Sequence, residues 1–502
     1  MKYRDSKNHK KEKIVIIGAG TSGLTIASNL SDRFNIFLID KSEYKSYPFW
    51  YRPPLFIGLL LSKVKSKFIR KRFFLDKNGR NIPFFESNLV GGASVINGCV
   101  HMFGSKKKWD KILNPFGFTL ANLYQSYIEL FTTNNDKNKI NLSYARQNFL
   151  DYAFIKSLAS QGIYSGDSNY SDVESCGPII NTSRRLFRSS VLSIANKKKF
   201  KILLKSTVED ILFNDKKEVI GVKVNGKIIR ANKVIISAGV IGSCSLMMKI
   251  QNRESYLKEL QIGQKIRDHT NIRINVLANK KLGSLNEISS SYLKKISLVL
   301  RHFFGFKTLI QGTGATTSAH LDLNNDGEID VRIQIVNFFE TGRHGSSGKI
   351  FDTSEPGFSI SITAINPRSY GNVRFNNSGE VDVDPNYLNA REDVEVLIKA
   401  LTFSMNILKS PSLSKYVKRI IDEDKIINSP ESYIKENFYS GYHLIGGLQN
   451  SIREDFSVKG CSNLYVCDAS IFEDYVASNI HSSVVLVSSL FSKRLKESCT
   501  QC

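Results

Sequence analysis

Cysteine is scarce in this 502-residue chain, and its few copies are scattered. Their number is odd and their spacing builds no disulfide framework, which excludes a small disulfide-stapled secreted fold. Cys499 and Cys502 form a lone CxxC with no second ligand pair beside it, so idle thiols are favoured over a zinc or redox site. We therefore expect no metal centre. The cysteines occupy positions 99, 176, 244, 461, 467, 499 and 502.

Long apolar runs are also missing. The best candidate, residues 55–61, is far shorter than the ~20 residues that a membrane-spanning helix needs. Residues 2–13 are charged and lack the apolar core of a signal peptide. These absences predict a protein that works in a reducing, cytoplasmic setting.

Acidic side chains are outnumbered, because 46 Asp and Glu residues face 70 Lys and Arg residues, a formal net charge of +24. Lysine and asparagine are abundant throughout, which favours a general composition bias. Attraction to an anionic surface or an acidic partner stays open. No RNA- or DNA-binding motif is present, so no nucleic-acid role is expected. The length and a hydrophobic content of 41% predict a globular chain with two or three domain-sized cores.

The most informative stretch is a β-α-β pattern near the start. Four apolar residues, 14–17, predict a buried strand of a parallel sheet. Gly18, Gly20 and Gly23 follow in GxGxxG spacing, which lets the backbone approach a pyrophosphate at a helix N-terminus. A second strand ends on Asp40, about 20 residues further on, where an acid can reach a ribose hydroxyl. This order predicts a dinucleotide site.

Two hypotheses fit residues 44–74, which are aromatic and then strongly basic. Pro53 and Pro54 interrupt any helix that would lie flat on a membrane, so we favour a lid over the cofactor. Weak contact with a membrane surface through residues 55–72 is the alternative.

The pattern of apolar and polar residues changes after residue 270. Alternating strands predict an antiparallel sheet with one covered face. Asp322, Asn324 and Asp326 imitate an EF-hand loop, but Ile333 stands where the bidentate Glu belongs, so a polar hairpin turn is favoured over calcium. From about residue 463 the α/β character returns.

The order of motifs resembles the glucose–methanol–choline (GMC) family of FAD-dependent oxidoreductases over nearly the whole chain. Besides the GxGxxG fingerprint of residues 18–23, the resemblance rests on motifs that begin at Gly91, Val234, Gly263, Asn366, Asp384 and Asn463. It implies an α/β, Rossmann-like and discontinuous FAD-binding domain over residues 13–270 and 446–498. A lid at about 44–74 and a helical insertion at about 111–195 belong to that domain. It also implies an α+β substrate-binding domain over 271–445, built on the antiparallel sheet.

The resemblance also assigns the cofactor site. It implies that the fingerprint binds the pyrophosphate, Asp40 the ribose, and the backbone of Val208 the adenine. Ile96 stands where some members attach the flavin, so the resemblance implies FAD held non-covalently. The implied cofactor-binding residues are Gly18, Ala19, Gly20, Thr21, Ser22, Gly23, Asp40, Gly92, Ser94, Asn97, Gly98, Val100, Val208, Asp468, Ala469 and Asn479.

Alcohol oxidation needs a base for the hydroxyl proton, and imidazole suits this task because its ordinary pKa of ~6.5 lies near working pH. Among eight histidines, the resemblance implies His443 as the base and His481 as the partner that hydrogen-bonds the same oxygen. Leu444, Ser478 and Ser483 depart from the family's usual residues around them. The chain therefore resembles a divergent member.

The implied reaction is oxidation of the CH–OH group of an alcohol, with sugars and other polyols among the candidates. Oxygen, a quinone or an acidic redox protein could take the electrons. Two alternatives stay open. One is a GMC-like lyase that cleaves cyanohydrins with a redox-idle FAD, and the other is an inactive flavoprotein.

Overall fold

A computed structural model describes residues 11–58, 66–76, 79–196, 198–340 and 355–498. The strands are β1 Lys13–Ile17, β2 Asn35–Ile39, β3 Ile69–Leu75, β4 Asn81–Ser87, β5 Val100–His101, β6 Phe131–Thr132, β7 Ile140–Tyr144, β8 Ser175–Pro178, β9 Ile180–Arg184, β10 Phe187–Arg188, β11 Lys201–Leu203, β12 Val208–Phe213, β13 Val219–Val224, β14 Lys227–Arg230, β15 Lys233–Ile236, β16 Gln264–Arg267, β17 Thr270–Ala278, β18 Ala315–Leu321, β19 Val331–Val336, β20 Gly357–Ala364, β21 Gly371–Phe375, β22 Val381–Asp384, β23 Val417–Ile420, β24 Tyr439–Ser440, β25 Ile445–Gly447 and β26 Leu464–Val466. The helices are α1 Thr21–Leu30, α2 Lys106–Leu113, α3 Leu120–Leu130, α4 Phe149–Ala159, α5 Val191–Ala195, α6 Gly239–Arg253, α7 Leu285–Ser289, α8 Tyr292–Phe303, α9 Arg391–Lys409, α10 Pro411–Ser414, α11 Glu423–Asn428, α12 Pro430–Asn437 and α13 Ile480–Ser498.

A five-stranded parallel sheet carries the nucleotide-binding end of the molecule. Its strand order is β11-β2-β1-β15-β26, so three separate stretches of the chain contribute to it. The central strands β1 and β15 are continuous apolar runs because both faces of such a sheet are covered. α13, near the end of the described chain, packs against α1. This arrangement confirms the predicted discontinuous Rossmann-like fold.

A second, antiparallel sheet runs in the order β23-β17-β20-β19-β18-β8, and β24 also pairs with β17. One face is apolar, with Ile274, Ile333 and Ile360 buried against a core to which α9 contributes. The opposite face is polar. The predicted antiparallel sheet with one covered face is thus confirmed, and its polar face is free to form a binding surface.

One region differs in detail from the sequence-based expectation, whereas the predicted hairpin turn at residues 322–330 agrees with it. Residues 111–195, predicted as a helical insertion, hold helices together with strands β6 to β10, and strand β8 joins the antiparallel sheet through β18. Strands of two residues, such as β6 and β10, are too short to show a period of two in the sequence. Residues 322–330 form the hairpin between β18 and β19, and there the Asp322 and Asp330 carboxylates accept backbone N–H groups of the turn. The polar-turn interpretation therefore accounts for them.

Within residues 44–74, the described parts form single turns at Phe49–Tyr51 and Pro54–Phe56 and then strand β3, which pairs with β4. Residues 59–65, which include part of the apolar run, lie outside the described residues, as do Cys499 and Cys502. Among the described helices, none combines the length and apolarity that crossing a membrane requires. The described residues also contain no cluster of histidine, cysteine and acidic side chains suited to a metal ion.

Candidate active site

The two sheets line one cavity of about 440 Å³. At one end lie the loops that follow the parallel strands, and at the other lies the polar face of the antiparallel sheet. In parallel α/β sheets, the carboxyl ends of the strands are where ligands bind. The cavity is thus continuous from the predicted nucleotide site to the predicted substrate surface.

The GxGxxG fingerprint at residues 18–23 contributes to the lining of this cavity. Gly18, Gly20, Thr21, Ser22 and Asp40 line it. Helix α1 begins there without a side-chain cap, so its first N–H groups and positive dipole end remain available to an anion. The Asp40 carboxylate accepts the N–H groups of Ala19 at 2.6 Å and Ser42 at 2.7 Å, which fixes its orientation.

The loop that carries Gly91 and Gly92, here called the double-glycine loop, packs directly against the GxGxxG fingerprint. Gly92 has a φ of +55°, and a Cβ there would lie 2.8 Å from the Cα of Gly20. Such contact between two backbones leaves a flat channel beside them that any side chain would fill. Asn97, Gly98 and Val100 continue this wall of the cavity.

Asp468 and Ala469 also line the cavity. Its carboxylate accepts the N–H of Gly239, the hydroxyl of Ser243, and both the N–H and hydroxyl of Ser470. Burial raises the pKa of Asp468, and these hydrogen bonds oppose that effect. The side chain therefore ties the loop after β26 to the start of α6.

Four predicted cofactor residues lie outside the cavity lining. A Cβ at Gly23 would collide with the carbonyl of Gly18, so this glycine allows close packing of helix α1. Ala19 contributes through the hydrogen bond that its N–H donates to Asp40. Ser94 donates its hydroxyl to the carbonyl of Gly91, which holds the loop in shape. Val208 begins β12, where it pairs with Val224 of β13.

His443 is held in a loop between β24 and β25. Gly441 is required there because a Cβ would lie 2.6 Å from the Cβ of His269. The His443 N–H donates to Asp268 at 2.8 Å, and its Nδ1 lies 3.0 Å from Nδ1 of His269. His269 therefore engages one ring nitrogen of His443 and leaves Nε2 for the cavity.

His481 lies in the first turn of α13 and lines the same cavity as His443. Neither of its ring nitrogens has a hydrogen-bond partner in the described protein. The neighbouring Asn479 also lines the cavity and accepts a hydrogen bond from Arg332. The structure thus brings both predicted catalytic histidines to the cavity that starts at the fingerprint.

Both histidines are uncharged at neutral pH. Burial, and then the charge of Arg332, lowers the pKa of His443 to about 3. Burial, and then the charge of Arg188, lowers the pKa of His481 to about 4. Both pKa values are therefore lowered from the ordinary value near 6.5, and each neutral ring can accept a hydrogen bond at pH 7.

The other described histidines serve different contacts. Nε2 of His101 lies 2.9 Å from the hydroxyl of Tyr127, and Nε2 of His302 lies 2.8 Å from the carbonyl of Leu186. His320 is fully buried in β18. None of these three lines the cavity.

The polar face of the antiparallel sheet supplies residues that the motif analysis missed. Polar side chains from β17, β19 and β20 line the cavity. The alternation in residues 331–336 was the available signal, because a strand covered on one face directs every second side chain to the other. These residues are Asn271, Arg273, Arg332, Gln334, Ser361 and Thr363.

A nucleotide cradle that opens onto two neutral imidazoles defines a dinucleotide-dependent oxidoreductase. Family models described as GMC oxidoreductase match residues 12–271 and 367–488. The chain belongs to the GMC oxidoreductase family and is an FAD-dependent oxidoreductase. The uncapped α1 terminus and the side-chain-free channel at Gly20 and Gly92 fit that cofactor.

Relatives and solved structures of this family match almost end to end. The chain is 22% identical to an alcohol dehydrogenase [acceptor] of Pseudomonas putida, over 94% of this chain and 93% of that one. It is 22% identical to an oxygen-dependent choline dehydrogenase of Staphylococcus xylosus, over 94% and 92%. Its fold matches a pyridoxine 4-oxidase from Mesorbium loti with a TM-score of 0.80 at 17% identity, over 97% of this chain and 99% of that one. It also matches a formate oxidase with a TM-score of 0.83 at 16% identity, over 98% and 99%.

Proposed function

We propose that this protein oxidises the CH–OH group of an alcohol, with His443 as the general base. Bound FAD supplies the hydride acceptor. The observation that carries the proposal is that two neutral imidazoles, on His443 and His481, line one cavity with the dinucleotide cradle. Alcohol dehydrogenase and choline dehydrogenase relatives support the substrate class.

The proton path follows from the hydrogen bonds around His443. For Nε2 to accept the hydroxyl proton, Nδ1 must carry the proton that it donates to Nδ1 of His269. Asp268 fixes the loop through the His443 N–H, and its own carboxylate is held by the hydroxyls of Ser440 and Tyr387. His481 can donate a hydrogen bond to the same substrate oxygen and so stabilise its developing negative charge.

The cofactor-binding residues keep their proposed roles, with Gly18 to Gly23 at the pyrophosphate, Asp40 at the ribose and Val208 near the adenine. The proposed domain boundaries are 13–270 with 446–498 for the FAD-binding domain and 271–445 for the substrate-binding domain.

We further propose that FAD is held non-covalently, because Ile96 lines the cavity and offers no nucleophile. Acid precipitation of the holoenzyme should then release all the yellow colour, whereas colour in the pellet would contradict the proposal.

Anaerobic mixing with alcohols tests the reaction itself. Substrate should bleach the bound flavin, and His443→Ala should slow bleaching by ~10²-fold or more, the usual scale of a general base. FAD content measured in the same samples controls for cofactor loss. Turnover with an unbleached flavin would indicate the lyase alternative, and no turnover of any kind would indicate the inactive one.

The electron acceptor is the remaining part of the proposal. One relative is named as oxygen-dependent, and a glucose dehydrogenase of Drosophila pseudoobscura pseudoobscura is named for FAD and quinone. Oxygen or a quinone is therefore the first choice, and an acidic redox protein is consistent with the net charge of +24. Oxygen uptake followed beside quinone reduction separates the first two.

A further inference from the structure

Arg332 is a buried guanidinium that lacks an acidic partner. It is 5% exposed and lines the cavity. Its Nη1 donates to Asn479 Oδ1 and lies 3.6 Å from the sulfur of Met102, and its Nη2 lies 3.4 Å from the hydroxyl of Thr363. Nε has no hydrogen-bond partner. Among the described residues, no carboxylate forms an ion pair with it.

The other buried arginines near this sheet are neutralised. Arg267 pairs with Asp474, and Arg273 pairs with Glu340. A buried cation without a counter-charge costs several kcal/mol, so proteins normally pair it or use it. Arg332 therefore keeps an uncompensated charge that a bound anion would neutralise.

Gln334 provides a second donor at the same place. It lies two residues further along β19, on the same face of the sheet, and also lines the cavity. Its Nε2 is buried and has no partner. Arg332 and Gln334 thus place a charge without a counter-ion and an unpaired amide beside the cavity into which His443 opens.

We infer that the alcohol substrate carries a carboxylate, which Arg332 and Gln334 bind while the hydroxyl faces His443. This inference rests on the proposed alcohol oxidation and names its substrate class. A carboxylate suits the site better than a phosphate, because Arg332 supplies only one uncompensated charge.

Binding of unreactive acids to the holoenzyme tests the site without relying on turnover. Acetate and propionate should perturb the flavin absorbance and raise the melting temperature, whereas acetamide and propionamide should not. Arg332→Gln should weaken acid binding by roughly 10- to 100-fold, as loss of a charged hydrogen bond predicts. Arg332→Lys should retain part of it. Arg374→Gln, which removes the same charge from an exposed pair with Asp382, is the matched control.

Hydroxy acids and their amides then test specificity by turnover. kcat/KM should favour the acid in the wild type and lose that preference in Arg332→Gln. Equal binding of acids and amides, tighter binding of inorganic phosphate than of acetate, or an equal loss for both in Arg332→Gln would overturn the inference. Arg332-dependent binding of acids without oxidation of any alcohol would reject the proposed reaction and leave the carboxylate site in place.

A separate observation concerns helix α8, whose outer side is apolar and uncovered. Leu293 and Phe304 are each 78% exposed and Leu300 is 50% exposed. Lys294, Lys295, Arg301 and Lys307, all exposed, flank this stripe. The turn at Pro54–Phe56 contacts the turn at Leu309–Gln311, which follows α8 in the chain, and Phe49 and Trp50 just before it are also exposed. We call α8 with residues 49–50 and 304–307 the α8 surface.

We propose that the α8 surface docks on an anionic lipid bilayer. A basic-flanked apolar helix with exposed aromatic rings lies in the plane of a membrane interface, because lipid covers its apolar side while Lys and Arg meet anionic headgroups. If the α8 surface met the same surface of a second copy, its positive charges would face each other.

Vesicle sedimentation of the holoenzyme provides the test. The protein should pellet with vesicles that contain phosphatidylglycerol and much less with phosphatidylcholine alone. Leu293→Ser combined with Leu300→Ser should abolish pelleting, whereas Val173→Ser with Ile228→Ser, at exposed apolar positions elsewhere, should not. Failure to pellet, or pelleting that survives the α8 double variant, overturns the proposal. A dimer that the α8 variant dissociates, without vesicle binding, assigns the surface to a second copy.

Discussion

At the scale of single residues, the contact between His269 and His443 sets the protonation of the site. The two Nδ1 atoms lie 3.0 Å apart, and burial, followed by the nearby His443, lowers the pKa of His269 well below its ordinary value. A neutral His269 can accept from His443 and so hold the tautomer whose Nε2 is free. His269 is thus a positioning residue for the proposed base.

Removing that acceptor should impair the base without affecting binding. His269→Phe should slow anaerobic flavin reduction by about tenfold or more, while the substrate KM changes little, because general-base catalysis depends on orientation. His269→Asn, whose amide oxygen can take the place of Nδ1, should restore much of the rate. Equal losses in both variants, or a change confined to KM, would contradict this role.

His320 gives the fold a defined pH dependence. Burial, and then Arg332, lowers its pKa to about 3, and both ring nitrogens lack partners. Between pH 3 and the unfolded value near 6.5, only the unfolded chain binds the proton, so stability falls as pH falls through this window. The loss amounts to about 1.4 kcal/mol per pH unit below 6.5.

His320→Phe should remove this component. Unfolding free energies from urea titration, measured at pH 7.5 and pH 5.5, should show the variant gaining about 1.4 kcal/mol on the wild type between the two values. Comparing the change in unfolding free energy between the two pH values in the variant and in the wild type cancels the contributions of the other titrating groups. A difference that stays constant between the two pH values would show that His320 is not neutral in the folded protein.

At the scale of elements, the cradle depends on the contact of the double-glycine loop with α1. Gly92→Ala should lower the FAD content, because the new Cβ would lie 2.8 Å from Gly20. Gly379→Ala is the matched control, since Gly379 also has a positive φ, +76°, and its Cβ would meet no atom within 4 Å. Both variants carry the backbone strain, but only the first should lose cofactor, measured as the ratio of flavin to protein absorbance. Equal FAD content in the two would contradict the cradle.

The elements that could be predicted from the sequence are those with long, regular patterns. Residues 14–17 lie within β1, and the alternating stretch from Asn271 became β17. Strand β8 could not be assigned to the antiparallel sheet, because its pairing with β18 joins residues more than a hundred positions apart. The contact of His269 with His443 and the isolation of Arg332 are likewise tertiary facts, invisible to local periodicity.

At the scale of the whole molecule, the cavity joins the two sheets, so its occupant should couple them. The fingerprint lies on one side, and the loop that carries His443 lies on the other. A ligand that contacts both sides suppresses local opening on both, whereas one that contacts only one side protects only that side.

Hydrogen exchange of the FAD-free protein can test this coupling. Adding FAD should slow exchange both at residues 18–23 and at residues 441–444, because the proposed binding mode places the dinucleotide between α1 and the loop that carries His443. ADP, which carries the pyrophosphate but no flavin, should protect residues 18–23 alone, and the exposed hairpin between β13 and β14 serves as the unaffected reference. If FAD protected no more of the chain than ADP does, the flavin would lie away from His443, and the proposed hydride transfer beside that base would have no structural support.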